Sequence, residues 1–236
     1  MKLISILLLA AITASAKQVT YDLNIAETKL APAGKLKPAL TINGGIPGPT
    51  LRFKEGDTAI INVNNSLKNK ETSIHWHGLL VPNPEDGVPY LTTPPIQPGE
   101  SRTFRFPLRQ SGTYWYHSHT GLQEQQGVYG SIVITPRGGE TIKSTHDKVL
   151  ILSDWTNESP KEVMRTLMRG SEWYSIKKGN AQSITGAAKA GKLKDYLDRE
   201  KVRMPPMDIS DVAYDAFLIN GKIESEEWEA VAETNY

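Results

Sequence analysis

The chain has 236 residues, with 27 basic residues, 26 acidic residues, five histidines and no cysteine. Charge so nearly balanced carries no signature of a nucleic-acid partner. The absence of cysteine excludes disulfides, zinc-thiolate sites, haem attachment and every copper site that needs a thiolate.

Residues 1–16, MKLISILLLAAITASA, combine Lys2, a short apolar run and the small-residue triplet Ala14, Ser15 and Ala16, the pattern of a cleavable export signal. The run is shorter than the roughly 20 residues that span a bilayer, and no later segment approaches that length. The expectation is a periplasmic or secreted protein with no membrane association after signal cleavage. No twin arginine precedes the run, so the general secretory route is expected, with any metal acquired outside the cytoplasm. Loss of Lys2 with the signal leaves 26 basic against 26 acidic residues.

From 17 to 154 the chain is a series of short segments rich in Val, Ile, Thr, Phe and Tyr, separated by turn signals. VTYDLNIAE places Val19, Tyr21, Leu23 and Ile25 on one face, and TAIINVNN and SRTFRFPL keep the same period of two. NGGIPGPT, KEGD, QPGES and RQSGT put Gly, Pro and Asn where the chain must turn. The spacing predicts about seven strands in a mainly β, Greek-key sandwich or barrel.

Two of these segments carry four of the five histidines, in SIHWHG and YWYHSHTG. Along an extended strand, residues two apart face the same way about 6.6 Å from each other. His75 and His77 therefore present their imidazoles together, as do His117 and His119. If the two segments are neighbours, four imidazoles converge on a patch suited to Cu, Zn, Fe or Ni, as one ion or as several adjacent ones. A single H-x-H pair arises by chance in many strands, but two identical pairs flanked by aromatics point to metal. Trp76, Trp115, Tyr114 and Tyr116 are expected to point away from the patch into apolar packing. Gly78 and Gly121 fit either a close backbone approach or ordinary turns. His146, alone in STHDK, reads as an exposed loop residue.

Beyond KVLILSDW the character changes. SPKEVMRTLMRG opens with a capping-box pattern at Ser159 and Glu162, has Pro160 at the first helical position, and spaces Val163, Met164, Leu167 and Met168 helically. AAKAGKLKDYLDRE is a second helical candidate, RMPPMDISDV an extended connection, and AFLING a last short strand. Met164, Met168, Met204 and Met207 offer soft thioethers for Cu(I), although the spacing of the first two favours core packing. The tail KIESEEWEAVAETNY is acidic and too poor in apolar residues to build a further core.

Taken in order, NGGIPGPTLRFKEGD, HWHG, EDGVP, PPIQPGESRTFRF and GTYWYHSH resemble the first cupredoxin domain of the multicopper oxidases. LSDWTNESPKEVMRTLMRG and MPPMDISDVAYDAFLINGK narrow the likeness to the copper-resistance, CopA-like branch of bacterial periplasm. The resemblance covers the mature chain except the tail. It implies a cupredoxin-like Greek-key β-sandwich over 17–154, a helical and irregular extension over 155–220 and an acidic tail over 221–236. It also implies copper as cofactor, with His75 on a type 2 copper and His77, His117 and His119 on a type 3 pair. Asp86 matches the family's acid that assists proton delivery, and as half of an Asp-Gly pair it equally suits a turn.

The family reduces oxygen to water at a trinuclear cluster held by eight histidines, four of them from its last domain, and takes electrons through a cysteine-bound type 1 copper. Neither the second four histidines nor a cysteine is present here. The resemblance therefore implies either the amino-terminal part of an oxidase completed by cupredoxin domains on another chain, or a stand-alone copper-binding protein without turnover, or an inactive truncated product.

Overall fold

The computed structural model describes residues 16–142, 147–169, 173–177, 183–202 and 212–223. The predicted export signal up to Ser15, His146, Met204, Met207 and all but the first residues of the acidic tail lie outside them.

Two four-stranded sheets share one apolar core. The first has the order β2 (Lys37–Ile42), β1 (Gln18–Leu30), β4 (Thr58–Asn65) and β6 (Ser101–Pro107). The second has the order β3 (Leu51–Lys54), β8 (Tyr129–Thr135), β7 (Gly112–His117) and β5 (His75–His77). Each sheet contains one parallel pair, β1 with β4 and β3 with β8, so the chain crosses between sheets instead of running as successive hairpins. The alternation read from sequence is the alternation of burial. Leu23 and Ile25 of β1, Ala59, Ile61 and Val63 of β4, and Phe104 and Phe106 of β6 are buried, while the residues between them face outward or are partly covered.

From the second sheet, Leu51, Trp76, Tyr116, Ile132 and Ile134 close the core. Trp76 is fully buried and meets Phe104 edge-on at 5.2 Å and Phe106 at 5.6 Å, which joins the two sheets beneath the first histidine pair. Tyr116 lies beside it and donates its hydroxyl to the Pro49 carbonyl at 2.8 Å. The Tyr116 ring occupies the space that a side chain on Gly130 would need, since a Cβ there would lie 2.3 Å from the phenol oxygen. Burial pushes the Tyr116 hydroxyl well above the usual phenol range, so it remains a donor.

Beyond the sandwich, β9 (Leu152–Trp155) pairs antiparallel with β10 (Ala216–Ile219), the strand expected at AFLING. Trp155, Ala216 and Leu218 form a second small core with Ala39, against Leu30, Ala33 and Ile46, which fastens the extension to the β1–β2 end. Between β9 and β10 lie α1 (Pro160–Met168), α2 (Trp173–Lys177), α3 (Ile184–Lys189) and α4 (Leu193–Val202). The α1 cap forms as expected, with Ser159 Oγ accepting from the Glu162 N–H.

Two expectations are corrected here. Met164 and Met168 do not pack in a core, because α1 buries no residue and Met168 is 80% exposed. The half-covered side of that helix carries Val163 and Leu167 instead. The second helical candidate is two helices, interrupted where Gly191 adopts φ +65°.

Trp76→Ala removes the ring that joins the two sheets and should lower the unfolding free energy by about 3–5 kcal/mol. Urea denaturation followed by far-ultraviolet circular dichroism measures this, and an unchanged midpoint would deny Trp76 that role.

Candidate metal centre

β5 and β7 are adjacent antiparallel strands with His75 opposite His117, Trp76 opposite Tyr116 and His77 opposite Trp115. The period of two then sorts side chains by face. Trp76 and Tyr116 go into the core, and His75, His77 and His117 gather on the other side. The rings of His75 and His117 are 5.6 Å apart, those of His75 and His77 5.7 Å, and those of His77 and His117 5.3 Å. One nitrogen from each of these three falls within 4.8 Å of the others.

His119 joins by a different route. β7 ends at His117, the chain turns through Ser118, whose N–H donates to the Val128 carbonyl, and the His119 N–H donates to Ser73 Oγ at 3.0 Å. That bond holds the His119 ring 5.0 Å from both His75 and His117. The four imidazoles therefore meet at one place, with His117 buried, His75 half-buried, and His77 and His119 exposed.

Trp115 is corrected. It shares the histidine face, stacked on His117 at 4.1 Å and 17° and on His77 at 4.8 Å and 30°. The reason is the same alternation: Trp115 lies two residues before His117 in one strand, so both must face the same way. Gly78 at φ +82° and Gly121 at φ +55° both take the left-handed backbone of a turn, and a Cβ on Gly121 would meet nothing.

Asp86 caps the 3₁₀ turn Asn83–Glu85 and comes to His75. Its main-chain oxygen lies 2.8 Å from His75 Nδ1 and its carboxylate Oδ1 3.4 Å from the same atom, while Thr92 donates its hydroxyl to Oδ2. The turn and the contact with the histidine are thus one feature. Gly87 makes the approach possible, at φ +83° and so close to the main chain ahead of His75 that a Cβ would lie 1.7 Å from the Ile74 carbonyl oxygen.

Sequence reasoning missed the segment after the second histidine pair. Gln123 is buried, accepts from the hydroxyls of Thr72 and Ser118 at 2.7 and 3.0 Å, and donates to the Glu71 carbonyl at 2.8 Å. It ties the approach to the first histidine pair to the residue between the second two. Glu124 sends Oε2 to 2.9 Å from His117 Nδ1. In GLQEQQG no periodicity separates these two from neighbouring polar residues. Their proximity to HSH is the one signal available.

Partial loss of hydration first, then the neighbouring His117 and His75, lower the pKa of His77 and of His119 from the ordinary histidine value, which favours the neutral rings at neutral pH. The hydrogen bond from His117 holds the Glu124 carboxyl below the usual carboxylate range. Neutral imidazole is the form that binds metal. His77 Nδ1 and His117 Nε2 are 3.1 Å apart, the separation expected of two ligand nitrogens that each lie about 2.0–2.1 Å from one ion. A thiolate-free set of imidazoles suits Cu(II), so the donor set fits copper.

Residues 24–139 match the family model described as multicopper oxidase. Copper resistance protein A of Escherichia coli is 40% identical over 224 residues, which is 92% of this chain and 37% of that protein. Copper resistance protein A of Pseudomonas syringae pv. tomato is 42% identical over 214 residues, 88% of this chain and 35% of that protein. The chain thus spans little more than a third of the curated relatives it matches. Among solved structures, a laccase from Botrytis aclada superposes with a TM-score of 0.60 at 39% identity, over 66% of this chain and 29% of that one. A multicopper oxidase from Pseudomonas thermotolerans gives 0.57 at 34% identity, over 61% and 35%.

Gln123→Leu leaves the hydroxyls of Thr72 and Ser118 and the Glu71 carbonyl without this partner, at about 1–3 kcal/mol for each group left unsatisfied. The expected result is a protein that unfolds at clearly lower urea concentration. A variant as stable as the parent would mean that this residue does not hold the two histidine segments together.

Proposed function

We propose, for a chain whose residues 24–139 are a multicopper oxidase domain of cupredoxin fold with copper as cofactor, that His75, His77, His117 and His119 hold that copper and form one half of an oxygen-reducing centre. The observation that carries the reading is the convergence of these four rings, three on two strands paired in register at His75 and His117 and the fourth just past the end of one of them. By family resemblance His75 serves a type 2 copper and the other three a type 3 pair. Bound copper supplies one-electron chemistry toward oxygen.

The residues of this chain have separate tasks. His77 and His119 remain neutral and keep lone pairs available. The main-chain oxygen of Asp86 accepts from His75 Nδ1, which leaves the opposite ring nitrogen for metal. The Asp86 carboxylate, a quarter exposed beside His75, is placed to pass protons between solvent and the centre. Trp115 stacks on two of the rings and restricts their rotation.

The other half of the ligands and the site through which substrate electrons arrive belong to further cupredoxin domains, on a longer chain or a partner chain. Leu80, Tyr90 and Leu91, all on the connection that also carries Asp86, are 74%, 78% and 80% exposed, side chains that a further domain would shield from water. The leader pattern over 1–16 supports an exported, periplasmic or secreted, protein. The two four-stranded sheets are the copper-holding unit, and the residues from β9 onward are its extension and tail.

Copper titration of the purified chain, read by equilibrium dialysis and electron paramagnetic resonance, tests the proposal. Cu(II) should bind at micromolar concentration with a nitrogen-rich signal and without intense blue absorption, because the chain has no thiolate. His77→Ala with His117→Ala should weaken binding by at least about tenfold, on the scale of one lost ligand interaction. Absence of binding at micromolar copper, or binding indifferent to that pair, would overturn the assignment.

A further inference from the structure

We propose that Glu124 is a positioning residue for the metal centre: its carboxylate accepts a hydrogen bond from His117 Nδ1 and so commits His117 Nε2 to the side where the other imidazoles meet. The inference rests on the copper-holding role given above to His117.

Three observations converge on it. The His117 side chain is only 6% exposed, so water does not supply partners for both of its nitrogens. Its two nitrogens have opposite surroundings. Nδ1 faces Glu124 Oε2 at 2.9 Å and the Ser118 carbonyl at 3.1 Å, both acceptors, while Nε2 lies 3.1 Å from His77 Nδ1. The ring plane is held by Trp115, stacked at 4.1 Å, so what remains to be decided is which nitrogen carries the proton. A carboxylate and a carbonyl on one nitrogen place the proton there.

Glu124 is itself firmly placed. Gln123, next to it, is anchored through three side-chain hydrogen bonds, and the Glu124 carbonyl accepts from the Gly127 N–H at 2.9 Å. Consecutive residues of one turn therefore do two different jobs. Gln123 joins the two histidine segments from the buried side, and Glu124 reaches the ligand ring from the partly exposed side. A charged acceptor also makes the coordinating nitrogen a better donor, which a neutral carbonyl does less well. His75 has a parallel arrangement with Asp86, but there the nearer acceptor is the main chain, at 2.8 Å against 3.4 Å for the carboxylate. At His117 the order is reversed, and the side chain is the nearer partner.

The test uses the whole chain in two states. In metal-free protein, long-range ¹H–¹⁵N correlation spectra should show His117 with its proton on Nδ1, and Glu124→Ala should convert it to a mixture of both tautomers. With copper, Glu124→Ala should weaken Cu(II) binding about ten- to hundredfold and alter the nitrogen couplings in the paramagnetic resonance spectrum. Glu124→Asp, too short to reach the ring, should behave like the alanine variant, and Glu124→Gln should lose less. Glu140→Ala, at an exposed position elsewhere, should change nothing. Should Glu124→Ala not fold, the aspartate and glutamine variants decide the matter on their own. An unchanged His117 tautomer together with parental copper affinity in Glu124→Asp would overturn the inference. If the parent protein bound no copper, the function proposed above would fall, while the tautomer spectra would still support or overturn the hydrogen-bond role of Glu124.

Discussion

The centre depends on one register. Because β5 and β7 pair with His75 opposite His117, the fully buried Trp76 and Tyr116 are also opposite each other, and burial and ligand placement are decided by the same set of hydrogen bonds. A slip of one residue would push imidazoles into the apolar core and expose two large aromatic rings. The hydrophobic effect acting on Trp76 and Tyr116 therefore holds the histidines in place, although it acts on the opposite face of the sheet. The tolerance is narrow, since Gly130 leaves just enough room for Tyr116 and Gly87 just enough for the turn that brings Asp86 to His75.

A second layer of control is polar. The histidine pairs lie on different segments, and outside the short β5–β7 ladder they are joined by side chains: Gln123 to Thr72, Ser118 and Glu71, and Ser73 to the His119 N–H. Buried hydrogen bonds of this kind contribute little net stability but are costly to leave unmade, so they select one arrangement over near alternatives. The centre needs that selectivity, because imidazoles that are merely nearby do not form a binding site. The exposed position of His77 and His119 leaves one side of the histidine cluster open to solvent.

The extension has a different character. It is fastened by the β9–β10 pair and a small core around Trp155, while α1 presents Met164 and Met168 outward beside Leu122, Lys161, Arg165 and Arg169. Its helices are short, and the start of α1 is read correctly from Ser159, Pro160 and Glu162, because capping is a local interaction. What the outward methionines face is not a local matter, and helical spacing could not separate core packing from exposure.

Much of the fold was legible in the residues themselves. Period-two burial along β1, β4 and β6, the glycine and proline turns, the capped helix and the two histidine pairs all depend on interactions within a few positions of the chain. The four candidate ligands could be named for the same reason, and copper followed once the motifs were seen to resemble a family. Other features required contacts across the fold. The placement of Trp115 followed from alternation that the sequence did contain, yet its stacking on both His77 and His117 needed β5 to lie beside β7. Gln123 reaches Thr72 because the 120–127 turn folds back toward the first pair, across about fifty residues of chain, while the same turn brings Glu124 back onto His117 of the second pair. Sequence by itself determined which side chains are available to a metal, since that is set by residue type and strand period. Tertiary structure decided what the rings meet, acceptors at Nδ1 of His75 and of His117 and the neighbouring imidazole at Nδ1 of His77, since those partners come from across the fold.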